Sequence, residues 1–301
     1  MIMKYGFARG YAKLNLTLDV LSRRDDGYHD LEMIMQSVSL CDSVAVRTGT
    51  GNGITAISNV RHIPNDDRNI VVKASKAFCE ATGIDCGGIH IAVEKRIPSS
   101  AGLAGGSADG AAVLRLLNEL CGAGLSDEAL CDIGIKVGSD IPFCLMGGTR
   151  IARAKGEAMS EISPMPDCHI VISKPWKGMS TKAVFTEIDS HPILKHPDTE
   201  AMVSAIEAGN IYGVCDNVYN VFEPVVSGEI PDISTIKRLL REHGALAAAM
   251  TGSGSAVFGI FDKEKNAKAA RNELEKRYNE TFLVKPIDGT EVRKCIWTSQ
   301  E

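Results

Sequence analysis

The sequence lacks the features of a membrane protein and of a nucleic-acid-binding protein. It contains no apolar run of ~18 residues, the length that a membrane-spanning helix needs. Lys4, Arg9 and Lys13 interrupt the stretch where a signal peptide would have to be apolar. The formal net charge of -5 excludes a global basic field that would hold a polyphosphate backbone. We therefore expect a cytoplasmic protein with no membrane and no nucleic-acid partner.

Metal-binding and disulfide motifs are missing as well. The nine cysteines are spread singly with no C-x-x-C pair, and the seven histidines form neither an H-E-x-x-H motif nor an i, i+4 pair. These absences argue against a disulfide framework and against a metal held by the protein, so any metal should arrive with a substrate. A free thiol in an apolar stretch packs as a small hydrophobe, which we expect of most of the cysteines.

The composition is that of a globular protein with two domains. The 301 residues exceed the ~100–200 of a single domain, and 44% hydrophobic with 24% charged residues excludes a disordered chain. The polar stretch 154–167 contains two prolines and is the best boundary. It divides the chain into domains of residues 1–158 and 159–301. Strand-like and helical patterns are mixed in both halves, which predicts an α+β fold.

Periodicity predicts the first elements. Residues 13–21 alternate in hydrophobicity, which predicts a half-buried strand. Residues 28–38 and 43–47 predict two further strands. Residues 69–82 have the apolar spacing of an amphipathic helix, and Gly83 supplies its end.

A glycine-rich loop at residues 98–106 leads into a helix predicted over 107–121. Glycines allow backbone N–H groups to turn toward a ligand, and a helix N-terminus carries about half a positive charge, so the loop is a candidate phosphate site. It is not a Walker A loop, because no Gly-Lys-Ser/Thr closes it. A tight strand-to-helix turn is the alternative. A second glycine-rich stretch, 250–256, lies between two strand-like runs.

Three polar residues are candidates for chemistry. Lys13 and Asn15 project from the strand face opposite Leu14 and Leu16, although a solvated sheet face is the alternative explanation. Asp140 lies in an apolar, glycine-rich setting, and Lys13 is its candidate partner. A carboxylate next to an ammonium stays ionised and can accept a hydroxyl proton.

Together these blocks resemble the GHMP kinase superfamily, in which a Lys-containing strand, a Pro-x-x-x-Gly-Leu-x-x-Gly-Ser-type loop and a late glycine-rich loop recur in this order. The resemblance spans the whole chain. It implies a two-domain GHMP kinase fold, with a ribosomal-protein-S5-domain-2-like N-terminal domain and a ferredoxin-like α/β sandwich at the C-terminus. The run Asp26-Gly-Tyr-His29 is similar to that of the branch that acts on a cytidine diphosphate derivative.

The resemblance implies an ATP-dependent kinase that converts the 2-hydroxyl of 4-diphosphocytidyl-2-C-methyl-D-erythritol to the 2-phosphate, in the non-mevalonate (MEP) pathway of isoprenoid precursor synthesis. ATP is then the co-substrate, Mg²⁺ accompanies the nucleotide, and the chain is a monomer or a homodimer. Two alternatives stay open. One is a GHMP kinase for another small alcohol of the homoserine or mevalonate type, and the other is a catalytically silent nucleotide-binding protein.

The resemblance also implies roles for single residues. Lys13 and Asp140 would form the catalytic pair, with Asp140 as the base for the substrate hydroxyl. The cytosine would be held by an aromatic face and a polar edge. The substrate-binding residues would be Asn15, Tyr28, His29, Lys95, Thr181 and Phe185. The ATP-binding residues would be Asn69 and Asp109 on the adenosine side and, around the phosphates, Pro98, Ser99, Ser100, Ala101, Gly102, Leu103, Ala104, Gly105, Gly106, Ser107 and Ala108.

Overall fold

Two β-sheets organise the chain in a computed structural model, which describes residues 3–154 and 156–300. The larger sheet contains β1 (Lys4–Arg23), β2 (His29–Thr48), β3 (Ile54–Ser58), β4 (Ile89–Glu94), β5 (Thr149–Ala154), β6 (Ala158–Glu161), β8 (Tyr219–Asn220) and β12 (Ile296–Gln300). The smaller sheet contains β7 (His169–Ser173), β9 (Ala247–Met250), β10 (Val257–Phe261) and β11 (Thr281–Val284). The strand orders are β12-β1-β2-β4-β3 and β11-β7-β10-β9.

Helices cover these sheets, and they contribute the walls of the site described below. They are α1 (Ile70–Thr82), α2 (Gly105–Cys121), α3 (Asp127–Gly134), α4 (Ile141–Met146), α5 (Thr181–Asp189), α6 (Thr199–Glu207), α7 (Ile211–Asn217), α8 (Glu223–Glu229), α9 (Asp232–Glu242), α10 (Glu264–Glu275) and α11 (Gly289–Lys294). The side chain of Asn69 caps α1 by accepting from the backbone N–H of Val71. Gly83 ends α1 in the left-handed region with φ 68°. The helix predicted over 69–82 is thus confirmed.

The long hairpin of β1 and β2 corrects the prediction of a separate strand at 43–47. β2 continues without a break from His29 to Thr48, and Tyr11 and Gly10 pair with Cys41 and Asp42 in its middle. Because Asp42 is acidic, it interrupts the apolar pattern and suggests the end of a strand. It stays inside the sheet because the loop after β4 donates backbone hydrogen bonds to its carboxylate.

One of the hydrophobic cores lies between the larger sheet and the helices α1 and α2. Leu14 and Leu16 of β1 are fully buried there, together with Leu116 of α2. Gly10 allows β1 to run close to the start of α2, because a Cβ atom at this position would lie 2.7 Å from the carbonyl oxygen of Ala108. This close approach brings the polar residues of β1 next to the glycine-rich loop.

The two halves of the chain are joined through β1. β8 pairs with β1 in parallel, and β12 pairs with it antiparallel, so segments from the second half complete the first sheet. Mostly antiparallel sheets with helices packed on them confirm the α+β class. The boundary between 1–158 and 159–301 stays a prediction; it falls at the first residue of β6. Within the described part of the chain, no helix is long and apolar enough to span a membrane.

Candidate active site

Most of the predicted site residues line a cleft of about 650 Å³. This volume is in the usual range of small-molecule sites. The predicted residues that line it are Lys13, Asn15, Asn69, Lys95, Pro98, Ser99, Ser100, Ala101, Gly102, Leu103, Ala104, Gly105, Gly106, Ser107, Asp109, Asp140, Thr181 and Phe185. Tyr28, His29 and Ala108 lie outside this lining.

The loop before α2 has the backbone of an anion site. Ser100, Gly102 and Ala104 have positive φ angles of 51°, 74° and 57°. Such alternation of left-handed and ordinary residues forms the concave arrangement of N–H groups that binds anions. Helix α2 follows directly at Gly105, and no side chain caps its first turn. The unsatisfied N–H groups and the helix dipole at this end favour a bound phosphate.

Backbone contacts fix this loop between β1 and the second glycine-rich loop. Lys13 donates its backbone N–H to Leu103 O over 3.2 Å, and Ala256 donates to Ala101 O over 3.2 Å. At Gly102 a Cβ atom would collide with a backbone oxygen of the second loop. The phosphate loop therefore cannot shift independently of the strand that carries Lys13.

The predicted catalytic pair shares the cleft without forming an ion pair. Lys13 is buried, and its Nζ donates to Asn15 Oδ1 over 2.5 Å. The backbone N–H of Asn15 donates to Thr251 Oγ1 over 2.9 Å, which ties this strand to the second glycine-rich loop. Asp140 is the N-cap residue of α4, yet its carboxylate makes no cap hydrogen bond. Its oxygens are therefore available to accept a hydrogen bond from a hydroxyl group in the cleft.

A buried asparagine that the sequence patterns did not reveal holds the second glycine-rich loop. Asn220 on β8 donates from Nδ2 to the carbonyl oxygens of Met250 and Gly252, both over 2.9 Å. Its Oδ1 accepts from the backbone N–H of Phe222 over 3.0 Å. The sequence signal for this role was an asparagine within a short apolar run. Such a signal is weak as long as the fold is unknown.

Lys95 is buried between two carboxylates. Its Nζ lies 2.6 Å from Asp109 Oδ2 and also donates to Asp42 Oδ2. Burial disfavours the ammonium, but the charges of Asp109 and Asp42 outweigh it and raise the pKa of Lys95. Burial raises the pKa of Asp109 well above its ordinary value, and Lys95 opposes this shift only in part. Asp109 Oδ1 has no partner among the described residues. The sequence patterns gave no indication of the contribution of Asp42.

The aromatic end of the site lies around α5. The ring of His29 stacks on Phe185, with centroids 4.9 Å apart and planes 22° apart, and Phe185 meets Phe222 edge-on at 5.0 Å. His29 is buried, and its Nε2 lies 2.7 Å from Asp189 Oδ1. Tyr28 is 61% exposed in the turn before β2. Flat heterocycles bind to such a surface by stacking.

Comparison with known proteins identifies the family. Two family models match the chain, GHMP kinases N terminal domain over residues 69–148 and GHMP kinases C terminal over residues 202–280. The 4-diphosphocytidyl-2-C-methyl-D-erythritol kinase of Clostridium acetobutylicum is 43% identical over 93% of this chain and 99% of its own length. The chain belongs to the GHMP kinase family. As a GHMP kinase it uses ATP as its co-substrate.

Solved structures agree with the fold of this GHMP kinase. A crystal structure of 4-(cytidine 5'-diphospho)-2C-methyl-D-erythritol kinase matches with a TM-score of 0.79 and 29% identity, over 93% of this chain and 98% of that one. A homoserine kinase from Cytophaga hutchinsonii matches with a TM-score of 0.77 over 99% of this chain and 98% of that one, but at 18% identity it shows the fold alone. The predicted two-domain GHMP kinase fold is confirmed. The roles of single residues stay predictions.

Proposed function

We propose that this GHMP kinase transfers the γ-phosphoryl group of ATP to the 2-hydroxyl of 4-diphosphocytidyl-2-C-methyl-D-erythritol, in the non-mevalonate pathway of isoprenoid precursors. The products are ADP and the 2-phosphate. The observation that carries this substrate is the 43% identity to the Clostridium acetobutylicum kinase over nearly the whole of both chains. The geometry of the cleft supports it, since one cavity is lined by the glycine-rich loop, by Asp140, whose carboxylate makes no cap hydrogen bond, and by Phe185, whose ring stacks on His29.

In the proposed reaction, the oxygen of the substrate 2-hydroxyl attacks the γ-phosphorus, and Asp140 accepts the proton of this hydroxyl. The bond from this phosphorus to the bridging oxygen breaks, and ADP leaves. Lys13 Nζ donates one N–H to Asn15. Its two other N–H groups can stabilise the carboxylate of Asp140 and the charge on the phosphoryl oxygens. Phosphoryl transfer depends mainly on positioning and electrostatics, which suits a site whose strand and loops are tied together.

The cytosine would bind at the aromatic end. His29 and Phe185 already form a stacked pair there, and Asp189 fixes the histidine ring. Tyr28 is exposed and would bury part of its ring on the base. Thr181 shares a 3.0 Å hydroxyl contact with Ser253, so it would close the pocket next to the second glycine-rich loop.

The metal and the partners belong to the same proposal. The described residues contain no group of three or more His, Cys, Asp or Glu side chains that could hold a metal ion. Mg²⁺ would therefore bind chiefly through phosphate oxygens and water, and the Ser107 hydroxyl in the first turn of α2 fits as a protein oxygen. When bound, the ion neutralises phosphate charge.

We propose small-molecule partners only, no nucleic acid, a cytoplasmic enzyme, and a monomer or homodimer.

The test is ADP release from Mg-ATP with purified 4-diphosphocytidyl-2-C-methyl-D-erythritol, run beside homoserine, mevalonate and galactose. We expect turnover with the cytidine compound alone. Turnover with another acceptor would keep the kinase and reject the cytosine site. ATP binding without turnover on any acceptor would establish the silent nucleotide-binding protein instead.

A further inference from the structure

Three cysteines meet at the carboxyl ends of α1 and α2, away from the cleft. Cys79 lies in α1, Cys86 lies in the loop between α1 and β4, and Cys121 is the last residue of α2. The sulfur atoms of Cys86 and Cys121 are 2.9 Å apart. This is closer than two non-bonded sulfur atoms normally approach, while a disulfide needs ~2.05 Å. None of the three lines the cleft, so the proposed reaction does not use them.

The backbone holds the two closest sulfurs in this relationship. Gly49 donates its N–H to Cys86 O over 2.9 Å, which attaches the loop to the end of β2. Gly122 ends α2 directly after Cys121 with φ 63°. Lys4 Nζ donates to Leu120 O over 2.9 Å, so an ammonium group lies at the same helix end. The distance between the two sulfur atoms exceeds the length of a disulfide bond by less than about 1 Å.

The two thiols differ in their surroundings. Hydrogen bonding to Cys86 lowers the pKa of Cys121, and the charge of Lys4 acts in the same direction. The same hydrogen bond, together with burial, raises the pKa of Cys86. Cys86 is 5% exposed, whereas Cys121 is only half-buried. Since the thiolate is the attacking species in thiol–disulfide exchange, Cys121 is suited to attack first and Cys86 to resolve.

We propose that Cys121 and Cys86 form a modification site that takes up an intramolecular disulfide from a low-molecular-weight disulfide. The Cys121 thiolate attacks one sulfur of the oxidant RSSR, which forms Cys121–S–S–R and releases RS⁻. Cys86 loses its proton and attacks the Cys121 sulfur, which forms the Cys86–Cys121 bond and releases the second RS⁻. The protein loses two hydrogen atoms, and the oxidant is reduced to two RSH molecules. Among the described residues, these thiols belong to no group of three or more His, Cys, Asp or Glu side chains that could hold a metal ion.

The test uses the reduced full-length chain and glutathione disulfide as the probe. We expect the free thiols, counted after unfolding, to fall from the nine of the reduced chain by two. Peptide mass spectrometry should then show a Cys86–Cys121 link lighter by two hydrogens. Cys86→Ser should accumulate glutathione on Cys121, because the resolving thiol is missing. Cys41→Ser removes a half-buried cysteine elsewhere and should leave the link intact.

Two results would overturn the proposal. One is an unchanged thiol count in the wild-type chain after prolonged incubation with excess glutathione disulfide. The other is a link that joins Cys79 to either partner, which would assign the site to a different pair. The peptide map of the wild-type chain decides both cases, so the proposal stays testable even if a serine variant folds poorly. Kinase activity does not enter the measurement.

Discussion

Asp189 on α5 holds the ring of His29 on β2 through a 2.7 Å contact between Oδ1 and Nε2. A carboxylate can only accept, so Nε2 donates, and Nδ1 is the ring nitrogen left for a ligand. Arg23 lies 3.4 Å from the other carboxylate oxygen and adds a weaker, exposed contact. The two elements of the aromatic end are therefore joined by a hydrogen bond as well as by the stack of His29 on Phe185.

Asp189→Ala should raise the KM for the cytidine substrate about 10–100-fold, because a hydrogen bond to a charged group contributes about 1.5–3 kcal/mol. The kcat and the KM for ATP should change little. Asp189→Asn should restore most of the affinity, since its amide oxygen still accepts from Nε2. Steady-state kinetics with both substrates checks this, with Glu187→Ala on the same helix as the matched control. An equal rise in both KM values would instead indicate a general loss of structure.

Asp140→Asn should lower kcat about 10²–10⁴-fold, because the amide cannot accept the hydroxyl proton. ATP affinity should be retained, since the glycine-rich loop at residues 98–106 is tied to β1 by backbone hydrogen bonds that do not involve this side chain. Turnover and nucleotide titration check the two halves of the prediction. Asp132→Asn on the exposed side of α3 should leave both unchanged. Near wild-type turnover in the Asp140 variant would remove it from the catalytic pair.

Local patterns were sufficient for much of the fold. The helix over 69–82 followed from apolar spacing and a glycine stop, and α1 occupies this stretch with Asn69 as its N-cap and Gly83 at its end. Such elements are encoded within a few residues of chain. The resemblance to GHMP kinases then supplied the arrangement of the two domains, which no local pattern contains.

Long-range polar contacts could not be predicted in this way. Lys95 lines the cleft and its place along the substrate stays a prediction, but its contacts with Asp42 and Asp109, which lie 53 and 14 residues away in the chain, had no local signal. Asn220 acts on carbonyl groups at least 30 residues away. The partners of a buried polar group depend on which strands become neighbours, so the sequence marks such a residue only as unusual.

Asn220→Ala should lower the free energy of unfolding by at least about 2 kcal/mol, because two buried carbonyl groups lose their donor. The KM for ATP should rise as well, since the loosened second glycine-rich loop packs on the phosphate loop. Urea unfolding and kinetics measure the two effects. Asn217→Ala removes a single bond within its own helix and should have a smaller effect on both. Unchanged stability in the Asn220 variant would contradict the role given to these bonds.

Lys95→Met should lower the free energy of unfolding by about 3–5 kcal/mol at pH 7, because two buried carboxylates lose their only shared cation in the described structure. The deficit should shrink as the pH falls. Burial already raises the pKa of Asp109 with Lys95 present. In the Lys95→Met variant, Asp109 of the folded state therefore binds its proton at a higher pH than Asp109 of the unfolded chain does. Stability then increases as the pH falls through the raised folded value. Urea unfolding at pH 5 and pH 8 measures the difference.

The double variant Lys95→Met with Asp109→Asn separates the charge effect from the loss of packing. After the second substitution Asp42 is the remaining carboxyl group of this cluster, and its Oδ1 keeps the backbone hydrogen bonds from Arg96 and Ile97. We therefore expect the double variant to be more stable at pH 8 than Lys95→Met alone, and to show a weaker dependence on pH. If the second substitution added a further loss at both pH values, the instability would arise from packing at the start of α2 and not from the unpaired charge.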